Sequence, residues 1–335
     1  TSDIRSREMT PTGRLAVSGQ GVILGGAEEL FKEFVEKTGI PAAWTILGLS
    51  ALPTKHPLNV GMVGMHGNYG PNVLTNECDV LIAIGMRFDD RVTGNLDHYA
   101  KQAKVVHLEI DPAEINKNVY ADFPVLGNVK ETLKILMELV QPKSHKEWHN
   151  RFKELYKTEY EKVISGNLDV NKPDLGMAEV IQEININTKG NAVIVSDVGQ
   201  HQMAACRYSD FTQTRSNVTS GGLGTMGFAL PAAIGAKMGS PKREVVAIIG
   251  DGGYQMPIQE LGTIFQTKVP VKIVVLNNGF LGMVRQWQQL FFDRRYASTE
   301  MTNPDFVTIA KGYHIEANRV TDRSQLKDAV KTMID

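Results

Sequence analysis

Asp251 closes the run Glu244-Val-Val-Ala-Ile-Ile-Gly-Asp251-Gly-Gly, and Asn278 closes the run Val271-Lys-Ile-Val-Val-Leu-Asn277-Asn278. A carboxylate and an amide oxygen suit a hard cation such as Mg²⁺, which takes few protein oxygens and completes its octahedron with phosphate and water. Gly252 and Gly253 follow the carboxylate directly, so backbone N–H groups there can approach an anion at a helix start. The ligand these residue types ask for is a metal-bound diphosphate.

Such a site exists only if both residues come out at the same edge of one sheet. Each run is apolar and β-branched, which predicts a buried parallel strand, and Met256–Lys268 between them has helical spacing. A right-handed βαβ crossover places Asp251 and Asn278 beyond carboxyl strand ends, where open α/β sheets bind ligands. A third predicted strand, Ala192-Val-Ile-Val-Ser-Asp197, runs into Val198-Gly-Gln-His201 and adds another polar strand end. The plainer alternative, a doubly wound domain with a turn Asp and a hairpin-like Asn-Asn-Gly, must treat three such ends as coincidence.

The 335 residues suffice for two ordinary domains with full cores. A net charge of −1 gives no reason to expect nucleic acid or an anionic membrane as partner. The apolar runs are strand-sized, well short of the ~20 residues of a membrane helix. Two cysteines, Cys78 and Cys206, on separate predicted domains argue against a disulfide framework and for a reducing, cytoplasmic setting.

Strand and helix alternate along the chain, which predicts two doubly wound parallel-sheet domains of the α/β class. The first spans 12–140, with strands at Leu15–Ser18, Val80–Ile84 and Val105–Ile110 and helices at Ala27–Lys37 and Glu131–Val140. A connecting helix and linker occupy 141–174. Within it Trp148, Phe152, Leu155 or Tyr156, Tyr160 and Val163 form an apolar stripe that is expected to pack across a domain junction. The second domain is 175–335. Thr1–Pro11 is polar and aperiodic, and the last predicted helix, Gln325–Met333, is not followed by the usual strand, so the chain reads as a fragment.

The first domain carries its own set of suggestive strand ends. Gly19-Gln-Gly21 follows the first strand, an imperfect dinucleotide fingerprint because Leu24 stands at the third glycine. Gly85-Met-Arg87-Phe-Asp89-Asp90-Arg91 follows one later strand and Glu109-Ile-Asp111-Pro112 the other. Arginines at such an edge can pair with phosphate, and an acidic residue can hold ribose hydroxyls. Helix capping and solvated arginines explain the same residues equally well, as packing explains the His in Gly64-Met-His-Gly67.

The spacing from Gly-Asp-Gly to Asn-Asn resembles the thiamine diphosphate motif of the thiamine-dependent decarboxylases and carboligases. Arg87-Phe-Asp-Asp-Arg-Val-Thr-Gly94, Gly64-Met-His-Gly67, Glu109-Ile-Asp-Pro-Ala-Glu114, Gly222-Leu-Gly-Thr-Met-Gly227 and Met283-Val-Arg-Gln-Trp287 extend the likeness. Together they resemble the catalytic subunits of the acetohydroxyacid synthase (acetolactate synthase) family, over nearly the whole chain. That family orders a pyrimidine-binding, a central FAD-binding and a C-terminal diphosphate-binding domain, and the likeness here covers the second and third. Gly127-Asn128 stands where the family has Gly-Asp.

The resemblance implies roles residue by residue. Asp251, Asn278 and the carbonyl of Phe280 would ligate Mg²⁺. Val198, Gly199, Gln200, His201, Gly224, Gly252 and Gly253 would surround thiamine diphosphate, with Met226 beneath its rings. Gly19, Gly21, Met65, His66, Gly85, Arg87, Asp89, Glu109 and Ile110 would line the FAD site. Arg91 and Trp287 would select the second 2-keto acid, Arg91 through its bidentate fork. The implied reaction is decarboxylation of pyruvate and coupling to pyruvate or 2-ketobutyrate, the first common step toward valine, leucine and isoleucine. The implied partners are a homodimer or homotetramer and a small regulatory subunit. The family's catalytic glutamate lies on its pyrimidine domain and matches no residue here, so the chain alone is expected to make no acetolactate. Rival readings are another thiamine-dependent oxidase or carboligase, a nicotinamide dehydrogenase and a silent cofactor-binding fragment.

Overall fold

A computed structural model describes residues 13–335, so Thr1–Pro11 lies outside the described residues. The chain divides into two compact units, Thr1–Gly166 and Asn167–Asp335. Both are built on parallel sheets with helical connections.

Among the described residues the first unit has six strands: β1 (Arg14–Ser18), β2 (Ala42–Trp44), β3 (Asn59–Met62), β4 (Val80–Ile84), β5 (Lys104–Glu109) and β6 (Phe123–Leu126). Their order is β3-β2-β1-β4-β5-β6, with every pair parallel. The order reverses between β1 and β4, which is the point where such sheets open a crevice for a dinucleotide. Glycine backbones seal its floor. A Cβ on Gly19 would stand 2.1 Å from the Gly85 carbonyl oxygen, and one on Gly21 would stand 2.7 Å from Gly85 Cα. β2, β3 and β6 escape sequence reading because each has three or four residues, and Asn59, Gly61 and Pro124 weaken the strand signal.

The second unit has β7 (Val193–Ser196), β8 (Asn217–Thr219), β9 (Val245–Gly250) and β10 (Lys272–Leu276). The order is β10-β9-β7-β8, again all parallel. Every residue of β9 is buried, as a central parallel strand covered on both faces requires. Val193, Val195, Leu230, Ala233, Ala247 and Ile249 form part of this core. The helix expected over Met256–Lys268 is broken instead. A short helix Asp251–Gln255 starts directly on β9, a 3₁₀ turn covers Ile258–Glu260, and a second helix runs Leu261–Thr267. Pro257, lacking an N–H, accounts for the break.

The stripe on the helix Lys146–Glu159 is used inside the first unit. Trp148 and Phe152 are buried in that unit's core, and Trp148 Nε1 donates to the Arg14 carbonyl at 3.0 Å. Farther along, Tyr156 and Tyr160 remain exposed. Both cysteines are unpaired and buried, and burial pushes each thiol up to about 12. Among the described residues no helix is long and apolar enough to cross a membrane.

Candidate functional site

Asp251 is the first residue of its helix and is almost fully buried. Its Oδ1 accepts from the Gly252 N–H at 3.0 Å; its Oδ2 accepts from the Gly279 N–H at 2.9 Å and from Asn303 Nδ2 at 2.8 Å. The carboxylate just beyond β9 is thereby tied to the turn that follows β10. In that turn Asn278 Oδ1 accepts from the Phe280 N–H at 3.1 Å and keeps a second lone pair. Phe280 pairs with Glu300 in a short antiparallel ribbon whose hydrogen bonds run Leu281 N–H to Thr299 O and Met301 N–H to Gly279 O. Such a pair directs the carbonyl of Phe280 away from the ribbon. Asp251, Asn278 and Phe280 line one cleft together with Val198, Gly199, Gln200, His201, Met226, Gly252 and Gly253. Three strand ends, those of β7, β9 and β10, therefore supply the walls.

This cleft passes a test of fit for a metal-bound diphosphate. Among the described residues no group of three or more His, Cys, Asp or Glu could hold a metal ion, so a cation here must draw remaining ligands from amide, carbonyl and phosphate oxygens. Its floor admits no side chains: a Cβ at Gly252 would stand 2.7 Å from Leu281, and one at Gly253 2.5 Å from Asp197 Oδ2. His201 is buried, and among the described residues its Nε2 has no hydrogen-bond partner, a polar atom in want of one. Its ring is wedged between Gly199 and Gly250, each of which would bring a Cβ within 2.7 Å of it.

Burial drives the His201 imidazole down to about 4, so it is neutral at pH 7. The unfolded chain takes up a proton near pH 6.5 that the folded chain refuses until about pH 4. Stability from this group is thus complete above the unfolded value and is lost as pH falls from 6.5 toward 4. Thermal melts of His201→Gln are expected to show a shallower loss across that window than wild type. Parallel curves would remove His201 as the cause.

Sequence reasoning missed two supports. Asp197, fully buried at the end of β7, accepts from the Val198 N–H at 2.7 Å and from the Gly227 N–H at 3.0 Å on both oxygens. Burial pushes its carboxyl above the ordinary range, while the N–H groups of Val198, Gly227 and Phe228 pull it down. It fixes the loop that carries Met226 between Gly224 (φ 63°) and Gly227 (φ 83°). Its place after an apolar run was the available signal. Asn303 lies in a stretch with no periodicity and gave none.

Met283 lines the cleft, whereas Trp287, on the same helix (Gly282–Phe291), lies outside it. Trp287 is 41% exposed and its ring centroid is 4.9 Å from that of Phe291. Gln200 Nε2 donates to Gln286 Oε1 at 2.9 Å, joining this helix to the start of the helix Gln200–Tyr208 that follows β7.

The other sequence-predicted residues follow strand ends of the first unit, on one edge of its sheet. The Gly19 and Gly21 N–H groups are spent on the carbonyls of Ile84 and Gly85, so these glycines serve close packing against the Gly85 backbone and are not free donors. Met65 is 47% exposed, and its N–H donates to the Arg91 carbonyl at 2.7 Å, which seats the Met65–His66 turn against Arg91. Arg87 pairs with Asp89 at 2.8 Å, and Asp89 Oδ1 also caps the short helix Asp90–Thr93 by accepting from Arg91 N–H. Glu109 Oε1 accepts from the Ile110 and Asp111 N–H groups, with Ile110 exposed beside it. Asn128 caps the helix Val129–Leu139 through Oδ1, a task an amide performs as well as a carboxylate. Arg91 belongs to the first unit and Trp287 to the second.

A dinucleotide-type strand order in one unit and a carboxylate–glycine turn at the strand ends of the other define a class: α/β proteins equipped for phosphate-bearing cofactors. Comparison with known proteins narrows it. Residues 14–136 match the thiamine pyrophosphate enzyme central domain, and residues 197–335 match the thiamine pyrophosphate enzyme C-terminal TPP binding domain. A probable acetolactate synthase large subunit of Methanocaldococcus jannaschii is 42% identical over 95% of this chain and 55% of its own length. The acetolactate synthase isozyme 2 large subunit of Escherichia coli is 41% identical over 95% and 57%, and the large subunit of Corynebacterium glutamicum 42% over 93% and 51%. The chain belongs to the acetolactate synthase large-subunit family of thiamine pyrophosphate enzymes. It spans about half the length of the curated relatives it matches.

Proposed function

We propose that this chain supplies the metal-diphosphate half and the flavin-binding unit of an acetolactate synthase, acting in branched-chain amino acid biosynthesis. The observation that carries the reading is the convergence of Asp251, Asn278 and Phe280 on a cleft floored by glycines and walled by His201, whose Nε2 has no partner among the described residues. When bound, thiamine diphosphate supplies the nucleophilic carbon and electron sink that let pyruvate lose CO₂. Asp251, Asn278 and the Phe280 carbonyl hold Mg²⁺. Gly252, Gly253, Val198, Gly199, Gln200 and His201 enclose the diphosphate, Gly224 gives its loop the required turn, and Met226 supports the rings. Gly19, Gly21, Gly85, Met65, His66, Arg87, Asp89, Glu109 and Ile110 seat FAD at the carboxyl edge of the first sheet.

Arg91 receives the carboxylate of the second 2-keto acid. It now pairs with Asp90 at 2.7 Å on the surface, a contact worth only about 0–1 kcal/mol, so a substrate carboxylate displaces it at little cost. For Trp287, half-exposed on the helix Gly282–Phe291 of the second unit, the proposed role is in acceptor choice. In the full-length enzyme Trp287→Leu is expected to change the ratio of 2-ketobutyrate to pyruvate used as acceptor, by up to roughly 10–200-fold for a difference of one methylene. Competition between the two acids measures it, and an unchanged product ratio removes Trp287 from acceptor selection.

The activity is tested with the protein supplied with thiamine diphosphate, Mg²⁺, FAD, pyruvate and the pyrimidine-binding domain of a relative. Two pyruvates should give one acetolactate and one CO₂. CO₂ release without the coupled product would turn the reading toward a decarboxylase. A homodimer or homotetramer, a small regulatory subunit and a cytoplasmic setting belong to the same proposal, the last supported by two buried, unpaired thiols.

A further inference from the structure

We propose that Asn303 is a positioning residue for the divalent cation, locking the Asp251 carboxylate to the turn that carries Asn278. The inference rests on the reading of Asp251 and Asn278 as cation ligands.

Asn303 spends its whole side chain on this site. Nδ2 donates to Asp251 Oδ2 at 2.8 Å and to Asn277 Oδ1 at 2.9 Å, and Oδ1 accepts from Gln255 Nε2 at 2.9 Å. The partners fix the amide's orientation, since two acceptors face its nitrogen and one donor faces its oxygen. One side chain thereby joins the end of β9, the turn after β10 and the helix that starts at Asp251. The antiparallel ribbon between Gly279–Leu281 and Thr299–Met301 delivers Asn303 to this point.

The consequence lies in which carboxylate oxygen stays available. Asp251 Oδ2 accepts two hydrogen bonds, from Gly279 and Asn303, which fills its in-plane lone pairs. Among the described residues Oδ1 accepts only the Gly252 N–H, so it retains one lone pair for a cation. Without Asn303 the carboxylate can rotate and the Asn277–Asn278 turn loses its tie to it. Mg²⁺ demands near-ideal octahedral geometry and Ca²⁺ tolerates irregular sites, so a misplaced carboxylate should cost Mg²⁺ more.

The test is calorimetric titration of the full chain with thiamine diphosphate in the presence of Mg²⁺ or Ca²⁺, for wild type, Asp251→Ala, Asn303→Ala and the volume-keeping Asn303→Leu. Metal-free melting of each protein is recorded alongside. Both Asn303 variants are expected to weaken Mg²⁺-dependent binding by about 10–100-fold, as loss of an outer hydrogen-bond partner of a metal ligand typically does. Ca²⁺-dependent binding should fall less, with the metal-free melt unchanged. Equal losses for both cations, Asn303 variants indistinguishable from wild type, or collapse of the metal-free fold in both variants would overturn the inference while leaving the site reading intact. Failure of wild type to bind, or unimpaired binding by Asp251→Ala, would overturn the site reading itself.

Discussion

Asp251→Ala is expected to abolish Mg²⁺-dependent binding of thiamine diphosphate, with a loss greater than the ~10–100-fold that removal of an outer partner costs. The carboxylate is the only charged group among the proposed ligands, and without it the diphosphate's charge is left to the cation and two neutral oxygens. The substitution also removes one acceptor each from the Gly279 N–H and Asn303 Nδ2, which keep only Asn277 Oδ1, so the turn bearing Asn278 loses its tie to the end of β9. Calorimetry on the metal-free protein, titrated with thiamine diphosphate with and without Mg²⁺, reads this out. A variant that binds as tightly as wild type would remove Asp251 from the metal site.

Gly19→Ala should destabilise the first unit by about 3 kcal/mol, the upper part of the overpacking range, or more. Its φ of −100° suits any residue, so the whole cost is contact: the new methyl would meet the Gly85 carbonyl oxygen at 2.1 Å and Met86 Cβ at 2.6 Å. The obstacle is backbone and cannot swing aside. Opening the contact also breaks the Gly19 N–H bond to Ile84 O and the Gly21 N–H bond to Gly85 O, which join β1 to β4 at the switch point. Gly235→Ala is the matched control, since its Cβ would meet nothing within 4 Å on the helix Ala229–Gly239, and it should stabilise by roughly 0.5–1 kcal/mol. Urea unfolding of both variants decides the matter. A loss for Gly19→Ala no larger than ordinary surface scatter would mean that the crevice floor can yield.

The long buried strands were legible because their chemistry is repetitive. Val245–Gly250 and Val80–Ile84 are apolar runs that only a parallel sheet buries on both faces, and the polar residues after them marked the carboxyl edge. The short strands were not legible: Ala42–Trp44 and Asn217–Thr219 owe their conformation to the neighbours they pair with, not to their own pattern. The same division runs through the site. Asp251, Gly252, Gly253 and Asn278 stand next to strands that announce them. Asn303 reaches Asp251 through a ribbon between two irregular segments, a contact that no local spacing encodes. Glycine roles were mixed in kind: Gly253 keeps the cleft floor clear, whereas Gly19 and Gly21 look like a phosphate loop in sequence yet have committed their N–H groups to β4's end.

We propose that Asp251 and Asn278 would hold the cation that accompanies the diphosphate of the cofactor. Phosphorus NMR of thiamine diphosphate bound to the protein, with Mn²⁺ replacing Mg²⁺, tests it most directly, because the paramagnetic ion broadens only phosphorus nuclei that lie beside it. Both diphosphate signals are expected to broaden strongly in wild type, with no broadening attributable to the protein in Asp251→Ala. Cofactor that binds with its phosphorus signals untouched by Mn²⁺, or broadening that survives the loss of Asp251, would contradict it.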